Sequence, residues 1–341
     1  MKVKSVFVKS PFDYELRSVE LPALKADEAL VEVIACGICG YDMEISACLS
    51  PDGYTALGHE YVGVVREVGG AVDNVKPGDR VTAESSTFCG VCDDCRNERV
   101  DLCRHLKTSS NGYAQGFAEM TVVPAKSLVA CNDIDPLTAV LSEPAGVSFD
   151  LVKTAEVQIT DDVLIVGMGP IGFMALQIAR KISAGRVAVV DRHENRRQMA
   201  LDSGADAAYA SLEDMPAEET FGKILLTAVP QLLPACIQRA RYGGFIAFLG
   251  SNFKDGNTVP LDTGMIHFNR LQLRSSFASP ATFFPWVHKL MRAGVIDGSK
   301  IVTGVYTLSN FKEAFDKLRN DKDHAMKVVV VNDNSGIKER K

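Results

Sequence analysis

Asp162-Val163-Leu164-Ile165-Val166-Gly167-Met168-Gly169-Pro170-Ile171-Gly172 is the stretch on which the fold turns. Its first half is a short apolar run, suited to a strand buried on both faces. Beyond the glycines, Ile171, Met174, Ile178 and Ile182 recur at helical spacing. A strand therefore passes into a helix through a glycine-rich turn, the context a dinucleotide fingerprint requires. Gly167 permits the tight turn, Gly169 lets backbone approach a pyrophosphate, and Gly172 lets the helix pack on the strand. Pro170 and Ile171 open the helix, whose unpaired N–H groups and positive dipole end face the phosphates.

Asp191 follows nineteen residues after Gly172, behind the apolar run Val187-Ala188-Val189-Val190. An acid there accepts hydrogen bonds from adenosine ribose hydroxyls and repels a 2′-phosphate, which favours NAD over NADP. Arg192 beside it leaves some room for NADP. Arg192 and Arg196 are counted with the cofactor-binding residues. Ile224-Leu225-Leu226 and Phe245-Ile246-Ala247-Phe248-Leu249 supply further strands. Strands alternating with helices predict a doubly wound parallel sheet, a Rossmann arrangement.

The segment before this unit reads differently. Leu30–Ile34 and Tyr61–Val65 are short apolar runs among Gly, Pro and Asp turn signals, and no long amphipathic helix is evident before about Asp135. A helix is expected over Phe284–Ala293 and a strand over Lys327–Val331. The polar tail, Asn332–Lys341, is expected to fray.

Nine cysteines punctuate the chain. Cys89-x2-Cys92-x2-Cys95-x7-Cys103 offers four thiolates from one loop, the donor set of a closed tetrahedral zinc site with no position left for substrate. Such an ion is structural: it cross-links a lobe with little core of its own. Cys36 reads as a core residue, and Cys48, Cys131 and Cys236 as packing residues.

The 341 residues suffice for two domains, and a composition of 46% hydrophobic and 23% charged residues is that of an ordinary globular chain. A net charge of −6 argues against nucleic acid, which needs a dense basic surface. No run approaches the ~20 apolar residues that span a bilayer, and the alternating start Met1–Val8 lacks the apolar core of a signal peptide. A cytoplasmic protein with a small-molecule substrate is expected.

Taken in order, Gly37-Ile38-Cys39-Gly40-x-Asp42, Gly58-His59-Glu60-x2-Gly63-x-Val65, Pro77-Gly78-Asp79-Arg80-Val81, the four-cysteine loop, Glu143-Pro144 and the Gly167 fingerprint resemble the zinc-containing medium-chain dehydrogenases. The branch resembled is that of sorbitol and threonine dehydrogenases. The resemblance implies an α/β chain with a GroES-like, β-rich catalytic domain made from both chain ends, residues 1–148 and 290–341, and a Rossmann domain over 149–289. It implies two zinc ions per chain and a homodimer or homotetramer. By resemblance, Cys39 and His59 bind a catalytic zinc, while Glu60 and Glu143 complete its surroundings directly or through water. The implied reaction is NAD-linked oxidation of a secondary alcohol, a polyol, cyclitol or sugar-derived alcohol. An amino alcohol such as threonine or a sugar phosphate is the alternative substrate, and a non-catalytic nucleotide-binding protein is the alternative of another class.

The chain departs from the family two residues after Cys39. Tyr41 stands where Ser or Thr is usual, and Glu44 where some relatives carry a relay histidine. Tyr41 either relays a proton, onward to Glu44, or shapes the pocket while water carries the proton. Near Ser275–Ala278 the chain has Phe277 where several polyol-branch members carry arginine, with Arg274 close by.

Overall fold

The computed structural model describes residues 1–49, 53–108, 112–250 and 256–341. The chain divides into two compact units: residues 1–146 with 278–341, and residues 147–277.

In the second unit six strands form one parallel sheet. Their order is Ala207–Tyr209, Val187–Val190, Val163–Val166, Phe221–Leu226, Ala240–Phe248, Gln272–Ser275. The strands Val163–Val166 and Val187–Val190 are buried throughout, as a sheet covered on both faces demands. Strand order reverses at Val163–Val166, which has the next strand on one side and Phe221–Leu226 on the other. Such a switch point leaves a crevice beyond the strand's carboxyl end, where Gly167 begins the turn into helix Pro170–Ile182.

The first unit holds a three-stranded sheet (Asp13–Glu20, Lys2–Lys9, Thr55–Ala56) and a seven-stranded one. In the larger sheet, Glu28–Gly37 lies between Glu60–Val68 and Lys327–Val331, antiparallel to both. The last strand of the chain thus closes against one of the first. Val302–Thr307 and Lys327–Val331 run parallel, joined through helix Phe311–Asn320, whose Phe311, Ala314 and Phe315 enter the core. That core also collects Val31, Cys36, Ile38, Leu57, Tyr61 and Phe117.

The chain returns to the first unit at 277/278, earlier than the 289/290 crossing expected from the sequence. The reason is a set of polar ties. Ala281 N donates to Ser86 O (3.1 Å) and Ser86 Oγ meets Ser279 Oγ (2.7 Å). Helix Phe284–Arg292 is fixed from inside by His288, whose Nε2 lies 3.1 Å from Thr82 Oγ1 and 3.0 Å from Ser142 Oγ.

The tail is not frayed. Arg340 exchanges backbone hydrogen bonds with Val305, and Glu339 Oε1 accepts from Thr307 N (2.8 Å), Thr307 Oγ1 (2.9 Å) and Asn310 Nδ2 (2.8 Å). These donors hold the Glu339 carboxyl down at about 2. Polar composition suggested disorder, but here the polar atoms find partners. Among the described residues no helix is long and apolar enough to cross a membrane.

His288 generates a prediction. Burial, with the Arg292 charge, pushes its pKa down to about 4 from an ordinary 6.5. The unfolded chain therefore binds more protons between these values, and stability falls as pH drops through that window. The loss amounts to at most about 3 kcal/mol below pH 4. Thermal melts of the native chain against His288→Gln should show a steeper loss for the native chain between pH 6.5 and 4. Parallel curves would refute the assignment.

Candidate metal and cofactor sites

Sheet register assembles the first cluster. Glu60 opens its strand opposite Gly37, Lys327 opens the last strand on the other side of Glu28–Gly37, and Cys39 follows two residues after Gly37 as the N-cap of the short helix Gly40–Glu44. The ligand-type atoms of Cys39, His59 and Glu60 all lie within 4.8 Å of one another. Asp42 holds two of them. Its Oδ2 accepts from Cys39 N (2.9 Å), and its Oδ1 lies 3.6 Å from His59 Nδ1. The contact at Nδ1 leaves Nε2 as the ring nitrogen free to ligate. Burial works against a charged His59, yet Asp42 and Cys39 hold its pKa well above the ordinary value; burial pushes the Cys39 thiol up.

Lys327 is the residue that sequence reasoning missed. It reads as the first position of a valine strand, yet its side chain is only 3% exposed. Its Nζ donates to Glu60 Oε1 (2.8 Å), Glu60 Oε2 (2.6 Å) and Ile38 O (3.0 Å). Gly37 makes room: a Cβ there would lie 2.4 Å from Glu60 Oε2 and 3.2 Å from Lys327 Cδ. The available signal was a lysine inside an apolar strand beyond a predicted metal motif, because a buried cation demands a partner.

Glu143 stands apart from the three-residue cluster. It opens helix Ser142–Thr154, and its Oε1 accepts from Ser85 Oγ at 3.4 Å. Burial raises its pKa, with His59 acting in the opposite sense and Glu60 in the same one. Tyr41 donates its backbone N–H to Cys39 Sγ (3.4 Å), while its side chain is half exposed and Glu44 is exposed. Arg274 donates to Thr154 O and Glu156, and Phe277 is exposed.

The second cluster is the four-cysteine loop. All four sulfurs lie within 4.8 Å of one another, with Cys89–Cys95 at 3.9 Å and Cys92–Cys103 at 4.0 Å. A disulfide needs about 2.05 Å, whereas a zinc tetrahedron with Zn–S of about 2.3 Å has edges of about 3.8 Å. Three backbone N–H groups point at sulfur: Cys89 N to Cys103, and Val91 N and Cys92 N to Cys89, each 3.4 Å. Those at Cys89 lower its pKa to about 6, while burial raises that of Cys95 to about 12; it is the spacing of the four sulfurs that suits a metal taking thiolates. Of the remaining cysteines, Cys36, Cys131 and Cys236 are buried, but Cys48 is exposed and is not the packing residue expected.

In the second unit the glycines behave as their positions require. Gly167 has φ +101°, and a Cβ at Gly172 would lie 1.9 Å from Gly167 O. Gly169, the N-cap of Pro170–Ile182, has no side-chain cap, and the nearest atom to a Cβ there is Arg196 Nη1 at 4.0 Å. Space is thus left over uncapped helix N–H groups, with a guanidinium at its edge, as a bound phosphate requires. Asp191, 8% exposed, is fixed by Met168 N (2.7 Å) and His193 N (2.8 Å) on its two oxygens. Arg197, not singled out from the sequence, donates to Asp191 O (2.8 Å) and Arg192 O (3.0 Å) and sets this turn.

Comparison with known proteins agrees with this architecture. The alcohol dehydrogenase GroES-like domain family matches residues 25–133, and the zinc-binding dehydrogenase family matches residues 170–293. An L-threonine 3-dehydrogenase of Shewanella sp. (strain ANA-3) is 32% identical over 87% of this chain and 90% of its own. The sorbitol dehydrogenase of Bacillus subtilis (strain 168) is 26% identical over 96% and 97%. The crystal structure of the alcohol dehydrogenase rspB from E. coli CFT073, complexed with NADH, superposes with a TM-score of 0.88 at 27% identity, covering 97% of this chain and 99% of that one. With a β-rich unit built from both chain ends and a doubly wound parallel sheet inserted between them, the chain belongs to the zinc-containing medium-chain dehydrogenases, in the branch resembling polyol and threonine dehydrogenases.

Proposed function

We propose that the chain moves hydride between a secondary alcohol and NAD, with zinc at the Cys39 cluster. The convergence of Cys39, His59 and Glu60 within 4.8 Å carries the reading. Thiolate, imidazole and carboxylate are donors zinc takes, and three protein donors leave it an open position. Glu143, held by Ser85, completes the surroundings directly or through water. Bound there, zinc supplies a Lewis acid that favours the ionised form of an alcohol hydroxyl. Asp42 fixes the orientation of Cys39 and His59, and Lys327 fixes Glu60. Such contacts keep ligands in one geometry. NAD, the hydride acceptor, is held at Gly167–Gly172 with its adenosine ribose at Asp191. The buried Asp191 carboxylate supports NAD over NADP.

The substrate is a polyol, cyclitol or sugar-derived alcohol in the first reading. Relatives named for L-threonine keep the amino-alcohol alternative in view. The four-cysteine loop holds a second, structural zinc. Cysteines grouped as metal ligands fit a reducing compartment, so we place the protein in the cytoplasm.

The second unit supports self-association. Gln272–Ser275 is an edge strand of the parallel sheet, and near it in sequence Phe268 is 78% exposed. An open edge with exposed apolar neighbours favours pairing with an identical copy about a two-fold axis. Light scattering on a sizing column should give at least a dimer, and Phe268→Glu should shift it toward monomer; a monomeric native chain sinks this reading.

The activity test follows NADH formation from sorbitol, inositol, sugar acids and threonine, with NADP in parallel and a chelator control. Cys39→Ser should abolish turnover while NADH binding, read by fluorescence, stays; a variant that still turns over refutes the metal role.

Lys327 gives a sharper test. Removing it leaves Glu60 as an uncompensated buried charge, a change that costs about 3–5 kcal/mol for a buried pair. Lys327→Met should lower both the melting temperature and bound zinc, while Lys327→Arg should keep more of each. Unchanged zinc content and stability in Lys327→Met would show that the pair holds nothing in place.

A further inference from the structure

The four-cysteine loop is gripped from outside by a residue in no motif. Lys126 sits in the short turn Ala125–Ser127, between the strands Met120–Pro124 and Leu128–Ala130. Its two neighbours are buried and tied down. Ala125 N donates to Asp27 O (3.0 Å), and Asn74 Nδ2 donates to Ala125 O (2.8 Å). Ser127 Oγ donates to Pro124 O (2.8 Å), and Ser127 O accepts from Glu84 N (2.8 Å). The base of the Lys126 side chain is therefore rigid.

From that base the side chain reaches the start of the loop. Its Nζ donates to Phe88 O (3.3 Å) and lies 3.7 Å from the centroid of the Phe88 ring. It also lies 3.1 Å from where a Cβ on Gly90 would stand, and Gly90 has φ +78°. One ammonium thus contacts Phe88 through both its carbonyl and its ring and occupies the space that a side chain at position 90 would need. Four thiolates around one Zn²⁺ leave a formal charge of −2, which the three N–H···S contacts offset only in part.

We propose that Lys126 is a positioning residue for the metal of this loop: the charge of its ammonium, seated on Phe88, holds the turn into Cys89 in ligating shape and offsets thiolate charge, which slows metal loss. The proposal rests on the reading that the loop holds zinc. Partners outside the ligand set commonly change metal affinity by about 10–100-fold. Lys126 is exposed, and screening by salt reduces the effect of such a charge, so a change of about three- to tenfold is expected.

The test uses the full chain carrying Cys39→Ser, so that only loop metal remains. Zinc per chain is measured first, then the rate of zinc transfer to a chromogenic chelator. About one zinc per chain is expected, with Lys126→Met releasing it about three- to tenfold faster and Lys126→Arg within about twofold of the parent. In about 1 M salt the gap between Met and Lys should close, because the screening length falls to about 3 Å. The parent alone should also release faster as salt rises, a readout that needs no substitution at Lys126. Equal rates for Lys126→Met and parent overturn the proposal. So does a gap that persists in high salt and in Lys126→Arg, which would assign the effect to packing, and so does a salt-independent parent. Absence of zinc from the Cys39→Ser chain overturns the loop reading itself, and the assay of alcohol oxidation in the native chain is judged separately.

Discussion

An ammonium and a carboxylate, both almost fully removed from water, meet where the last strand of the chain lies beside one of the first. Neither Lys327 nor Glu60 could be buried alone, since an isolated charge in the interior shifts its pKa or unfolds its surroundings. Together, with Ile38 O as a further acceptor for the lysine, they are tolerated. The pairing fixes the register of Lys327–Val331 against Glu28–Gly37. It requires a glycine at position 37 and holds one oxygen donor beside Cys39 and His59. Such pairs contribute little net stability compared with apolar packing. What this one provides is geometry, and the site and the closure of the sheet depend on the same atoms.

Around that pair the first unit separates two kinds of order. The sheet and the helix Phe311–Asn320 are held by apolar burial. The lobe from Cys89 to Cys103 has no comparable core: Val91 and Leu102 are exposed there, its elements are a four-residue helix and a short 3-10 turn, and a two-stranded ribbon flanks it. There four sulfur atoms lie within 4.8 Å of one another, and Lys126 contacts Phe88 at the root of the lobe. A metal ion is the economical cross-link for such a segment, because four bonds to one ion replace a core the segment is too short to build.

The second unit follows a different logic. Its central strands Val163–Val166 and Val187–Val190 are buried throughout, so the sequence there is continuous in apolar residues and the polar chemistry is pushed to strand ends. Gly167 and Gly172 occur at such an end because only glycine fits a positive φ and a 1.9 Å approach to Gly167 O, and Gly169 leaves the helix start open. Asp191 lies at the end of the neighbouring strand and is held by two backbone N–H groups, so its carboxylate is in place before any ribose arrives.

Much of this was legible in the chain itself. Local patterns decided the parallel sheet, the glycine turn, Asp191 and the four-cysteine loop, because each depends on residues close together in sequence and on one chemical rule apiece. Cys39, His59 and Glu60 were recognisable as motifs, and their meeting at one site followed from the family resemblance and not from any local pattern. Long-range contacts decided the rest. Lys327 meets Glu60 across 267 positions, His288 reaches Thr82 across 206, and Arg340 returns to Val305 through backbone bonds. Side chains that read as strand filler, a helix face or a polar tail gain their roles from partners that only folding brings near. Composition and spacing record what a residue is able to do; burial and register, set by the whole sheet, determine which of its possible partners it meets.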